Sequence, residues 1–172
     1  MSLLLQSGND CAAGIAEHIS GSQEAFAELM NTEAKQLGAT GTHFVNPHGL
    51  HDENHYTTTY DLYLMFNEAL KDQVFLDIIS MNSYTATVTS ADGTSYTPTW
   101  QATNYYSAGE ATPPDGIHVY GGKTGTTDQA GNCVILYEKN TAGEPYISVI
   151  MGASDKPLLY EEMNELLDAG MK

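Results

Sequence analysis

The chain has 172 residues, 41% of them hydrophobic, which is enough for one domain with a core and too apolar for a disordered segment. It sets six lysines and no arginine against 22 acidic residues, a formal charge of −16. It therefore lacks the clustered cations that a nucleic acid or an anionic membrane surface needs, and it has no run of about 18 apolar residues for a membrane-spanning helix.

Residues 9–19, NDCAAGIAEHI, space their apolar side chains as a helix does, with Asn9 or Asp10 as N-cap. Residues 22–38 do so more clearly. Ser22 caps them, Phe26, Leu29, Met30, Ala34 and Leu37 form one face, and Gly38 supplies a left-handed stop. Residues 58–71 open with Thr58 and Asp61 at capping-box spacing, and 72–80 make a shorter helix.

The period then falls to two. Residues 84–100 alternate around Asp92-Gly93 and read as a hairpin, and 110–116, EATPPDG, as a loop. Strands are expected over 117–124, 132–138 and 146–151, joined by the turn-rich DQAG and NTAGEP. Residues 159–170 close as a helix with Leu159, Met163, Leu166 and Leu167 on one side. The expected class is α+β: helices, an antiparallel sheet, and a last helix that covers it.

Cys11 and Cys133 have no metal or redox spacing and read as two small buried hydrophobes. His48, His51 and His55 stand at a spacing that zinc can use. Their segment is rich in Asn, Pro, Gly and Asp, so no helix presents the rings on one face. No metal and no cofactor is expected.

Two short motifs carry the chemistry. Ser7-Gly8-Asn9 leads the first of these helices, and Lys123-Thr124-Gly125 lies on a strand before a turn. Each alone is a weak signal. Together, more than a hundred residues apart, with FVNPHGLHDENHYTTTYDL between them and TTDQAGNC after them, they resemble the D-alanyl-D-alanine carboxypeptidases, the low-molecular-mass penicillin-binding proteins. The resemblance covers nearly the whole chain. It implies a transpeptidase fold of the penicillin-binding-protein/β-lactamase type. It also implies a parent enzyme outside the cytoplasmic membrane that removes the terminal D-alanine from peptidoglycan stem peptides ending in D-Ala-D-Ala and binds β-lactams.

The resemblance assigns roles by position. Ser7 relays a proton to the leaving amine, and Asn9 holds the substrate amide. Lys123 orients Ser7 and attracts the terminal carboxylate, which the Thr124 hydroxyl binds. The physics agrees: lysine is a compact cation with three donors, suited to holding two oxygens at once. Gly125 lets a substrate backbone approach the strand edge. The Thr126 N–H matches an oxyanion-hole donor, a group worth roughly 10²–10³ in rate.

The family's first motif, Ser-x-x-Lys, is absent: no serine here has a lysine three residues on. The chain reads as the C-terminal part of a catalytic domain, 1–172, with residues 1–3 as expression-vector residues, and by itself inactive. In the family the absent strands lie beside the last strand, so residues 146–151 are expected as an unprotected edge that self-associates. Many members add an arginine after that strand; here only Lys156 stands near, and it reads as a solvated turn lysine. The alternatives are a β-lactamase-related hydrolase, although the middle motif is Ser-Gly-Asn and not Ser-Asp-Asn, or a catalytically dead peptidoglycan-binding module.

Overall fold

The computed structural model describes residues 1–170. A short helix, α1 (Ser2–Gln6), leads into α2 (Asn9–Ser20), α3 (Gln23–Gln36), α4 (Thr59–Ala69) and α5 (Gln73–Ile79). A small hairpin follows, built of β1 (Ser83–Thr85) and β2 (Val88–Thr89) against β3 (Ser95–Tyr96) and β4 (Thr99–Gln101). After α6 (Tyr105–Ala108) come β5 (Ile117–Thr127), β6 (Gly131–Asn140), β7 (Pro145–Ala153) and α7 (Lys156–Ala169).

Local chemistry sets most boundaries. Ser22, Thr58, Asp72 and Asp155 each accept a backbone N–H in the first turn of α3, α4, α5 and α7, which satisfies donors the helix itself cannot. Gly38 follows α3 at φ 83, as its sequence suggests. At α2 the expectation fails: Gly8 is the N-cap with no side-chain bond, and Asn9 is already helical. Asp61 does not complete a capping box either. Its Oδ2 accepts from Thr42 Oγ1 at 2.7 Å, which ties α4 to the preceding loop.

β5, β6 and β7 form one antiparallel sheet in that order. Alternation along β6 sends Val134, Leu136 and Glu138 to one face and Ile135 and Tyr137 to the other. On the first face Val134 and Leu136 pack under Leu159, Tyr160, Met163 and Leu167 of α7. On the second, Ile135 meets Phe66 of α4 and Ile79 of α5, with Leu4 of α1 beside them. Fully burying each such aliphatic side chain contributes roughly 1.5–3 kcal/mol. Leu166 is not part of that seam; it is 41% exposed and Tyr160 takes its place. Both cysteines are free and only half-buried.

β5 runs past α5 so closely that side chains are excluded. Its register steps between Val119 and Gly121. A Cβ on Gly121 would lie 1.9 Å from the Ile79 carbonyl oxygen, and one on Gly122 2.1 Å from that of Ile135. Beyond this bulge Lys123 reaches the place where α1 meets α2.

Candidate active site

Ser7 is the C-cap of α1 and the only non-glycine residue with positive φ among the described residues (φ 58, ψ 45). A serine in the left-handed region costs of order 1 kcal/mol and persists only where its surroundings fix it. Gly8 allows the tight joint, since a Cβ there would sit 2.5 Å from Ser2 Oγ. The joint turns the Ser7 hydroxyl toward β5, where the Lys123 ammonium donates to it. Lys123 also donates to its neighbour's carbonyl, Thr124 O, at 2.6 Å. Burial pushes the Lys123 ammonium below the ordinary lysine range. Two of its three donors are engaged by these contacts, which leaves the third for a ligand oxygen.

Both short motifs thus meet in one place, a cavity of about 270 Å³ lined by Ser7, Asn9, Asn46, His48, His55 and Lys123 among others. Asn9 is exposed at its mouth as the first residue of α2. Thr124 follows on the strand, with its hydroxyl 2.6 Å from that of Thr103. Gly125 and Thr126 are exposed, and nothing lies within 4 Å of where a Gly125 Cβ would be. The Thr126 hydroxyl donates to Asn132 Oδ1 across the turn at 3.3 Å.

The wall opposite β5 comes from the loop between α3 and α4. Asn31 clamps it at Phe44, donating to the carbonyl (2.8 Å) and accepting the N–H (2.7 Å). His43 and Tyr56 exchange backbone hydrogen bonds. Asn46 Oδ1 accepts from the His48 and Gly49 N–H groups, closing a turn whose Gly49 has φ 80. His48 Nδ1 accepts from Leu50 N–H and His55 Nδ1 from Val45 N–H. Burial lowers the His55 pKa, with a neighbouring Asp52 opposing. Among the described residues no three His, Cys, Asp or Glu side chains gather into a metal-binding group.

The structure brings the expected Ser7, Asn9 and Lys123 to one cavity, and it sets Asn46 and His48 on the same wall and Thr103 against Thr124, which the sequence does not indicate. The Asn-Pro and Gly pattern at 46–49 marks a turn but says nothing of what it faces. Lys156 is exposed, as expected, but it opens α7 instead of lying in a turn, and its ammonium is 5.4 Å from the centre of the Tyr105 ring.

The family model described as D-alanyl-D-alanine carboxypeptidase matches residues 1–155. The chain belongs to that family. D-alanyl-D-alanine carboxypeptidase DacF of Bacillus subtilis is 32% identical over 167 residues, which cover 96% of this chain and 40% of that protein. DacA of Haemophilus influenzae is 31% identical over 98% of this chain and 39% of its own length. The fold agrees with the crystal structure of the Streptomyces K15 DD-transpeptidase at a TM-score of 0.88 and 26% identity, across 98% of this chain and 64% of that one. A D-alanyl-D-alanine carboxypeptidase structure from Mycobacterium tuberculosis aligns at 0.81 and 28%, again over 98% of this chain. The α+β expectation therefore resolves to the fold of the penicillin-binding DD-peptidases. The chain spans about 40% of the length of the curated carboxypeptidases it matches.

Proposed function

We propose that this chain supplies the carboxylate-binding and leaving-group side of a serine D-Ala-D-Ala carboxypeptidase site. The observation that carries the reading is the hydrogen bond from Lys123 to Ser7, which joins the two family motifs at one cavity. In this reading the free donor of Lys123 and the Thr124 hydroxyl take the terminal carboxylate of a peptidoglycan stem peptide. Asn9 holds the substrate amide, and Gly125 admits the peptide alongside β5. Thr126 N–H serves as one oxyanion donor. Ser7 passes a proton, with Lys123 behind it, to the departing D-alanine amine.

The nucleophile has to come from outside these residues, because no serine among them precedes a lysine by three. The chain alone then binds D-Ala-D-Ala peptides and does not hydrolyse them. With a Ser-x-x-Lys segment in place the site cleaves such peptides and is acylated by β-lactams. Its substrate lies in the cell wall, so the place of action is outside the cytoplasmic membrane. β7 has a free edge in the three-stranded sheet, which supports self-association of the chain.

The test is titration of the isotope-labelled chain with diacetyl-L-lysyl-D-alanyl-D-alanine. Resonances of Ser7, Asn9 and residues 123–126 shift with an affinity of about millimolar strength. An L-alanyl-L-alanine peptide leaves them unmoved. Equal shifts with both peptides, or none at these residues, sink the reading.

A further inference from the structure

Thr124 is held at its carbonyl and at its hydroxyl. Its carbonyl accepts from Lys123, and its hydroxyl oxygen lies 2.6 Å from Thr103 Oγ1. Thr103 comes from the segment between the hairpin and α6, 21 residues earlier. That segment is anchored on both sides of it. Ala102, itself buried, donates its N–H to Asn82 O at 2.9 Å. Asn104, 1% exposed, caps α6 by accepting from Ser107 N–H at 2.9 Å. Tyr105 N–H donates to the Tyr160 hydroxyl at 2.8 Å, and the two rings stack with centres 4.5 Å apart. The Thr103 hydroxyl is therefore presented to β5 by a rigid frame that reaches back to α7.

A hydroxyl has one proton to give and two lone pairs to receive with. In the Thr103–Thr124 pair only one of the two donates. If Thr124 donates, its proton is consumed inside the protein and its oxygen repels an anion. If Thr103 donates, the Thr124 proton stays free to point at a ligand. We propose that Thr103 is the positioning residue of the carboxylate subsite: it donates to Thr124 Oγ1, fixes that side chain in one rotamer and commits the Thr124 proton to a carboxylate. This rests on the functional reading above for the identity of the ligand. The pairing also accounts for a threonine at 124, since a β-branched side chain has few χ1 wells to hold.

The test compares the peptide acid, diacetyl-L-lysyl-D-alanyl-D-alanine, with its C-terminal amide on the wild-type chain, Thr103→Val and Thr103→Ser. Thr103→Val keeps the shape and removes the hydroxyl. It lowers affinity for the acid about tenfold, the loss expected for one hydrogen bond to a charged group, and leaves the amide unchanged. Thr103→Ser restores the preference for the acid. Equal or tighter binding of the acid by Thr103→Val overturns the proposal, because Thr124 is then the donor or needs no partner. The three-bond couplings of the Thr124 methyl decide the matter separately from ligand binding. They report one rotamer in wild type and averaging in Thr103→Val; a locked Thr124 in both overturns the proposal. If the wild-type chain binds neither peptide, the functional reading falls, and these couplings alone decide whether Thr103 positions Thr124.

Discussion

The Lys123 ammonium donates to the hydroxyl of Ser7, a residue 116 positions earlier in the chain. Neither motif could mean much alone. Ser7 reaches the lysine because it sits in the left-handed joint between two helices, and Lys123 because Gly121 lets β5 crowd against α5 while Gly122 lets it lie close on β6. The contact is the product of two local backbone constraints that a long stretch of unrelated chain brings together.

Lys123→Met removes the cation and keeps a similar stem. Affinity for the D-Ala-D-Ala peptide falls at least about tenfold, since a charge-assisted bond and its Coulomb partner go together. Lys123→Arg does not rescue, because a planar fork cannot serve both the Ser7 oxygen and the Thr124 carbonyl as a rotatable ammonium does. Burial also lowers the lysine's pKa, so peptide binding weakens with rising pH earlier than it does for an exposed lysine. Titration calorimetry from neutral to alkaline pH checks the sign. Binding that strengthens as pH rises contradicts it.

Gly121, Gly122 and Gly125 separate stability from recognition. Gly121→Ala and Gly122→Ala force a Cβ to within 1.9 and 2.1 Å of backbone oxygens, where nothing flexible can yield. Each destabilises the chain by about 3 kcal/mol, the cost of overpacking at a rigid contact, as read by urea unfolding. Gly125→Ala meets open space and shifts stability by less than about 0.5 kcal/mol. It nevertheless weakens peptide binding, because the new methyl stands on the strand edge the ligand approaches. A Gly125→Ala chain that binds as wild type shows that the ligand does not run along β5.

The periodicity and turn residues were enough to read α3, α4, α5, the hairpin and the three long strands, because one face of each is apolar at its own repeat. α1 and α6 were missed. They are five and four residues long, too short for a repeat to show, and they exist because of what they pack against. The site was half legible. Ser7, Asn9 and Lys123 stood out through family motifs, whereas Thr103 carries no local signal. It matters only because the segment from Ala102 to Tyr105 is pinned beside β5 by Asn82 and Tyr160.

Glu138 offers a pH-dependent stability. It is 1% exposed under α7, with one carboxylate oxygen accepting from Ser148 at 2.6 Å and the other without a hydrogen-bond partner. Burial raises its pKa from 4.5 to about 7, although the Ser148 bond pulls the other way. A carboxyl raised in the folded state ionises first in the unfolded one. Its contribution is fully present below pH 4.5 and is lost as pH climbs through about 7. The loss amounts to about 3 kcal/mol at most. Urea unfolding from pH 4.5 to 8 shows this decline in wild type and a flatter profile in Glu138→Gln. Identical slopes rule the group out.

The free edge of β7 predicts self-association. Residues 146–151 carry no charged side chain, and among the described residues no strand pairs with them on the side away from β6. Such an edge is a template for another chain. Sedimentation velocity is expected to show a concentration-dependent dimer, and a single monomer boundary at the highest soluble concentration counts against it.

The last prediction concerns acylation. A serine beside a buried lysine is the outline of an activated nucleophile, and Ser7 with Lys123 has that outline. The place of Ser7 argues otherwise. It belongs to the motif whose serine, in the proposed reading, passes a proton to the leaving amine and does not attack. Its lysine is also bonded to Thr124 O on β5, on the carboxylate side of the site. Benzylpenicillin in excess is therefore expected to leave the intact mass of this chain unchanged. Adding in trans a segment with a Ser-x-x-Lys serine is the condition under which an adduct forms, on that added serine. An adduct on the chain alone, one penicillin in mass and absent from Ser7→Ala, would make Ser7 the nucleophile and overturn its assignment to the leaving-group side.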